Sequence, residues 1–213
     1  MHTVAFCASK GGVGKTTLAI AIAVEASRRQ KVALFDSDSQ QSMARWHELR
    51  DDHTRLDLID FDKGRVSTEA AQAKASRGGA DWLFIDTPPG SMRLIEPAVE
   101  LATFVVIPIK PSPVDMEAVD AAVDLCKLHD KPFGFVINMA AVRTGITQGV
   151  IEFLKEKGTV FGDAMIMQRQ AWLAAMALGQ SGAELDRTGT CGKEIAALWA
   201  AIRKATQKSA VNA

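Results

Sequence analysis

Six short, largely apolar runs constrain this chain more than any other feature. They fall at 3–8, 32–36, 56–61, 82–86, 104–109 and 133–138, and valine, isoleucine and phenylalanine are prominent in them. A strand with one wet face alternates apolar with polar residues, whereas a continuously apolar strand has both faces covered. Between the runs lie stretches of helical spacing at 16–29, 41–50, 68–77, 94–101, 115–128 and 147–157. This alternation predicts an α/β fold: a doubly wound, mostly parallel sheet with helices on both faces. Such sheets bind ligands at the carboxyl ends of their strands. Chemistry is therefore expected just after each apolar run.

The bulk properties set limits around that fold. A chain of 213 residues suits one domain spanning 1–213. Lys plus Arg and Asp plus Glu both total 25, so no net charge demands a nucleic-acid partner. Locally the balance shifts: Arg187, Lys193, Arg203, Lys204 and Lys208 face only Glu194 in the last 27 residues. Cys7, Cys126 and Cys191 are odd in number and lack close spacing, and they read as small buried hydrophobes in a reducing compartment. The four histidines show no ligand spacing, and the four tryptophans read as core or interface anchors. No secretory signal pattern and no run near 18 apolar residues is present, so a cytoplasmic protein is expected. Residues 159–187 carry no clean periodicity. A last helix is expected over 193–208, with Ile195, Leu198, Trp199 and Ile202 on one face. That face is expected to pack on the sheet, which needs covering, with a membrane surface as the disfavoured alternative.

The first apolar run leads into KGGVGKTT at 10–17. Gly11, Gly12 and Gly14 let the backbone, with Val13 among them, turn its N–H groups inward. The helix starting near Thr16 adds its positive end. Lys15 is placed to meet β- and γ-phosphates, and the Thr16 hydroxyl, followed by Thr17, to ligate Mg²⁺. The general phosphate-loop pattern expects glycine at position 9, where this chain has Ser9, and it does not require Lys10. A second cation near the β–γ bridge offsets charge that develops in phosphoryl transfer.

Three more strand ends carry candidates. VALFDSDSQQS at 32–42 ends a strand in Asp36, with Asp38 two residues on. Carboxylates there can order metal-bound or attacking water; they are also compatible with a plain strand-to-helix turn capped by Asp38 or Ser39. DWLFIDTPPG at 81–90 ends an apolar run in Asp86, and VVIPIKPSPVDMEAVD at 105–120 is stiffened by Pro108, Pro111 and Pro113. Asp115 reads as a helix cap. In VINMAAV at 136–142, Asn138 ends a strand, but neither the lysine nor the aspartate of a guanine-reading N-K-x-D run follows. ATP is favoured over GTP.

The octet at 10–17 resembles the deviant Walker A motif of the ParA/MinD family of ATPases. The likeness covers nearly the whole chain and is closest to the short plasmid-partition type. It implies a P-loop NTPase fold and a nucleotide-sandwich homodimer in which Lys10 reaches the partner's phosphates. Asp36, Asp38 and Gln40 match the family's D-x-D-P-Q, with Ser39 in place of proline. The resemblance implies that Asp38 orients the lytic water and Asp36 supports the metal's water shell. Asp86 resembles the Walker B carboxylate that holds Mg²⁺ through water. Pro111 resembles the proline stretch bordering nucleotide and dimer interface, and Asn138 the adenine-side asparagine.

The expected activity is slow, partner-stimulated hydrolysis of ATP with Mg²⁺, by a dimer bound nonspecifically to nucleoid DNA. The expected partner is a centromere-binding or cargo adaptor protein of ParB or ParG type. With the loop at residue 10, no N-terminal helix-turn-helix domain is expected. Two other readings stay open: positioning of a protein cargo such as a carboxysome or chemotaxis array, and a MinD-like membrane switch. A metallocluster carrier is disfavoured by the cysteine contexts.

Overall fold

The computed structural model describes residues 1–59, 66–112, 116, 119–141, 145–161 and 165–211. Seven parallel strands form one sheet: β1 (His2–Phe6), β2 (Val32–Asp36), β3 (Leu56–Ile59), β4 (Trp82–Asp86), β5 (Phe104–Ile109), β6 (Phe133–Ile137) and β7 (Thr159–Val160). Their order is β3-β2-β4-β1-β5-β6-β7, with β1 pairing in parallel with β4 on one side and β5 on the other. The six expected strands are present. The seventh has two residues, too few to leave a periodic trace in the sequence. Of the expected third strand, residues 60 and 61 lie outside the described residues.

Helices connect the strands: α1 (Lys15–Ser27), α2 (Ser42–Glu48), α3 (Thr68–Arg77), α4 (Met92–Leu101), α5 (Val119–Leu128) and α6 (Gly145–Lys157). Beyond β7 come α7 (Gln170–Met176), α8 (Gly182–Leu185) and α9 (Thr190–Val211). The expected helix at 115–128 is described from Val119; Pro113 and Asp115 lie outside the described residues.

Strand side chains divide between two cores by strict alternation. Val4, Phe6, Val32, Leu34, Trp82 and Phe84 point to one face, where they meet α1, α2 and α9. Ala5, Cys7, Ala33, Phe35, Leu83 and Ile85 point to the other, against α3, α4, α5 and α6. Both faces are covered, which is why the runs are apolar at consecutive positions. Helix α1 is buried along most of its length, as its uniformly apolar sequence demands between a sheet and a second helix.

That second helix is α9. Ile195, Leu198 and Ile202 are fully buried and Trp199 nearly so; Trp199 stands edge-on to Trp82 at 4.8 Å and to Phe84 at 5.8 Å. The apolar face that the sequence left open to a membrane is spent on the core. Among the described residues no helix is long and apolar enough to cross a membrane. All four tryptophans and all three cysteines are buried, as expected. His47 and His53 come within 3.1 Å of each other, a contact that their spacing did not announce.

Burial of α9 has a measurable consequence. Leu198→Ala removes a buried side chain facing the sheet and should lower unfolding free energy by about 2–5 kcal/mol. Urea denaturation measures it, and a loss below about 0.5 kcal/mol would mean that α9 does not pack there in solution.

Candidate functional site

The parallel register brings the chemistry-bearing residues to one end. Phe6 lies opposite Asp86, and Asp86 opposite Asp36, so β1, β4 and β2 finish level. The glycine-rich loop leaves β1 and enters α1 at Gly14. Gly12 and Gly14 have φ of 76° and 82°, left-handed values that glycine adopts without a steric penalty. Gly14 is also crowded: a Cβ there would stand 2.5 Å from the Asn138 amide nitrogen.

Asn138 holds the loop in place. Its side-chain amide donates to the Val13 carbonyl at 2.7 Å, in a buried contact joining β6's end to the loop. The loop has further ties. The Gly90 N–H donates to the Ser9 carbonyl at 2.8 Å, and the Thr87 hydroxyl to the Phe6 carbonyl at 2.7 Å. The turn after β4 is thus fastened to the start of the loop.

At the base of α1 three groups meet. The Thr16 hydroxyl donates to Asp86 Oδ2 at 2.5 Å. The other Asp86 oxygen is buried without a partner. Burial pushes the Asp86 carboxyl up to about 7, with Asp36 and Asp38 adding to the rise while Thr16 and Lys15 oppose it. Lys15 is itself buried, which lowers its ammonium from the ordinary value against the pull of Asp86 and Asp38.

The turn after β2 is organised by Asp36. One of its oxygens accepts the Asp38 N–H at 3.1 Å, and the other accepts the Met43 and Ala44 N–H groups at 2.8 and 3.3 Å. Neither Asp38 nor Ser39 caps α2: the N-cap residue is Gln41, in left-handed conformation, and Asp36 reaches back from the strand to satisfy the helix. Burial raises the Asp36 carboxyl although these three bonds pull it down. Asp38 Oδ1 accepts the Gln40 N–H at 2.9 Å, and Ser37 ties the turn to β4 by donating to the Asp86 carbonyl at 2.8 Å.

Lys10 lines a small recess that also involves Pro108 and Ile109 of β5 and Val119 of α5. Pro111 follows β5 at the same end, half-buried.

A cavity of about 230 Å³ opens next to the loop, lined among others by Thr17, Asn138, Met139, Gln168, Arg169 and Leu173. Arg169 is clamped by a two-pronged pair with Glu194, at 2.7 and 2.8 Å. The Glu194 carboxylate also accepts the Met167 N–H. Sequence reading missed this wall. It comes from residues 165–173 and from α9, which share no spacing pattern.

The donor set suits a hard divalent cation and a polyphosphate. Thr16 and Asp86 offer oxygens only, one of them buried and unmatched. Among the described residues no three His, Cys, Asp or Glu side chains form a metal cage. Mg²⁺ is commonly held in this manner, by one or two protein oxygens plus substrate phosphates.

The CobQ/CobB/MinD/ParA nucleotide binding domain matches residues 4–181. The maintenance of carboxysome distribution protein A of Gloeobacter kilaueensis is 32% identical over 116 residues, which cover 54% of this chain and 52% of that protein. The chain thus spans about half the length of the first curated relatives it matches. Among solved structures, the MinD cell division protein of Aquifex aeolicus superposes with a TM-score of 0.78 at 18% identity, covering 96% and 97% of the two chains. A plasmid partition protein of Borrelia burgdorferi gives 0.63 at 22% identity, covering 84% and 95%. At these identities the structural likeness establishes the fold.

The brace on the loop is testable without any ligand. Asn138→Ala leaves the buried Val13 carbonyl unpaired, at a cost of about 1–3 kcal/mol. Amide exchange over residues 11–15 should accelerate while β3 keeps its protection. Unchanged exchange in the loop would show that Asn138 does not hold it.

Proposed function

Because this chain belongs to the CobQ/CobB/MinD/ParA nucleotide-binding family, we propose that it is an ATPase, a single domain over 1–213, whose ATP-dependent dimer binds nucleoid DNA without sequence preference and partitions a cargo. The observation that carries the reading is the Thr16–Asp86 contact beside buried Lys15, at the mouth of a glycine-rich loop. Neutral globular surface proteins have no reason to bury a lysine and a carboxylate there. Phosphates supply one.

Each residue then has a task. The N–H groups from Gly11 to Thr16, together with the positive end of α1, cradle the phosphates. Lys15 neutralises the β- and γ-oxygens. Thr16, and Asp86 through water, would hold Mg²⁺, which would supply neutralisation of phosphate charge. Asp36 would support the metal's water shell with the acceptor capacity that its three backbone N–H bonds leave. It fixes the turn that presents Asp38, and Asp38 orients the attacking water. The base enters the cavity flanked by Thr17, Asn138 and Met139, and the absence of an N-K-x-D run favours adenine. Lys10 serves the partner subunit's phosphates, and Pro111 borders that interface.

Exposed Lys193, Arg203, Lys204 and Lys208 on α9 support contact with DNA phosphates. Dimerisation doubles such contacts, and counterion release makes affinity rise steeply with their number. Hydrolysis stimulated by an adaptor of ParB or ParG type releases the cargo. The likeness to a carboxysome distribution protein favours a protein assembly as the alternative cargo. Burial of α9's apolar face argues against the membrane switch.

Lysine variants test the reading. Lys15→Ala should abolish ATP binding in calorimetry. Lys10→Ala should keep monomer binding but lose the ATP-dependent dimer in light scattering. Equal loss of affinity in both would overturn the in-trans role.

Removing Asp38 separates binding from turnover. Asp38→Ala should hold an ATP-bound dimer with hydrolysis slowed by about 100-fold. Turnover at the wild-type stimulated rate would reassign the water to another group.

A further inference from the structure

A second cleft opens at the far end of the molecule, at the amino ends of the strands. It measures about 460 Å³ and takes its walls from three distant stretches: the end of α1, the α2–β3 connection, and α8 with the residues after it. Four lining side chains are arginines, Arg28, Arg50, Arg55 and Arg187, and two are acids, Asp52 and Glu184. Its location is fixed by Arg55, which precedes β3 and whose carbonyl accepts the Val32 N–H at the start of β2. Helix α1 runs 13 residues from the phosphate loop to this cleft, a separation of about 20 Å at 1.5 Å per residue.

The arginines are not equivalent. Arg50 is 9% exposed and forms the floor. It donates to Glu184 at 2.8 and 3.0 Å and to the Gly179 carbonyl at 3.1 Å, and its guanidinium lies over the Trp46 ring. Its Nε is buried without a partner. Arg28 pairs with Glu25 at 3.0 Å. Arg55 is held at φ 62°, a left-handed value uncommon for a side-chain-bearing residue, and donates to the Arg28 carbonyl at 3.2 Å. Arg55 and Arg187 are both exposed, and among the described residues neither stands in an ion pair.

The charge balance decides what fits. Glu184 offsets Arg50, and Glu25 pairs with Arg28 while also lying within the field of Arg187. With Asp52 that makes three carboxylates against four guanidiniums, so the cleft keeps an excess of positive charge. The negative end of α1 would repel an anion, but the Arg28 carbonyl there is already engaged by Arg55. Guanidinium forks match phosphate oxygens in pairs, and a pre-fixed arginine loses less freedom on binding.

We propose that this cleft binds a phosphate-bearing anion, with Arg55 and Arg187 as the contacting groups and Arg50 as the rigid floor. Its identification with a DNA backbone phosphate rests on the function proposed above; a free diphosphate presents the same chemistry. On this assignment Arg187 works with the cleft arginines, apart from the α9 lysines with which the sequence groups it.

The test compares the full chain with a double variant, Arg55→Asn with Arg187→Ala. Asparagine tolerates the left-handed backbone, and unchanged ADP affinity and Tm verify the fold. A short duplex of arbitrary sequence is titrated with Mg-ATP present, and inorganic pyrophosphate with Mg-ADP filling the phosphate loop. The variant should bind at least one probe about 10-fold more weakly. Loss for the duplex, with a salt dependence shallower by roughly two phosphates per protomer, identifies nucleic acid as the source. Loss for pyrophosphate alone identifies a free anion, and the cleft stands while the DNA reading loses its support here. Duplex binding that is lost in the variant yet indifferent to nucleotide keeps the cleft and overturns the ATP switch. Equal affinities of wild type and variant for both probes, or no binding of either by the wild type, overturn the cleft itself.

Discussion

The in-register pairing of β1 with β4 and of β4 with β2 is the constraint on which the site depends. Because Phe6, Asp86 and Asp36 finish level, the loop after β1, the turn after β2 and the turn after β4 share one edge. A slip by one residue would swing Asp86 to the opposite face and exchange the two cores. Register is protected by the apolar faces themselves: Phe6, Leu34 and Phe84 must point to α1 and α9, while Ala5, Phe35 and Ile85 point to α3 and α4. The core that stabilises the sheet is therefore also what aligns the carboxylates.

On that aligned edge, hydrogen bonds replace the rigidity that loops lack. Asn138 grips Val13, Ser9 accepts from Gly90, Ser37 grips the end of β4, and Asp36 ties its own turn to α2. Most of these are side chain to backbone, so each fixes one connection relative to a strand. Burial of Lys15 and Asp86 costs free energy that a phosphate and a divalent cation would offset. A stable but unsatisfied arrangement of this kind points to a ligand, since packing alone would select apolar residues.

Helix α9 serves both ends of the molecule. Its buried face closes one core, and Glu194 near its start clamps Arg169 and receives the Met167 N–H at the cavity wall. Its outer face carries the exposed basic residues. The opposite end of α1 meets the arginine cleft.

What the sequence determined by itself was local and periodic. Apolar runs at 32–36, 82–86 and 104–109 became strands with those bounds, because residues buried on both faces leave no alternative pattern. The loop at 10–17, with Lys10, Lys15 and Thr16, was legible because its glycines and cations sit within one turn. Only the tertiary structure decided the rest. It assigned α9's apolar stripe to the core, a choice the stripe leaves open since sheet and membrane present equally apolar surfaces. It made Asp36 the group that satisfies α2, through N–H groups seven and eight residues away that become neighbours when the strand meets the helix. It joined Arg169 to Glu194 and Arg50 to Glu184, and brought Arg55 and Arg187 to one cleft, across separations that carry no periodicity. Contacts between distant segments depend on how the sheet twists and the helices cross, and a linear pattern records only what repeats within a few residues.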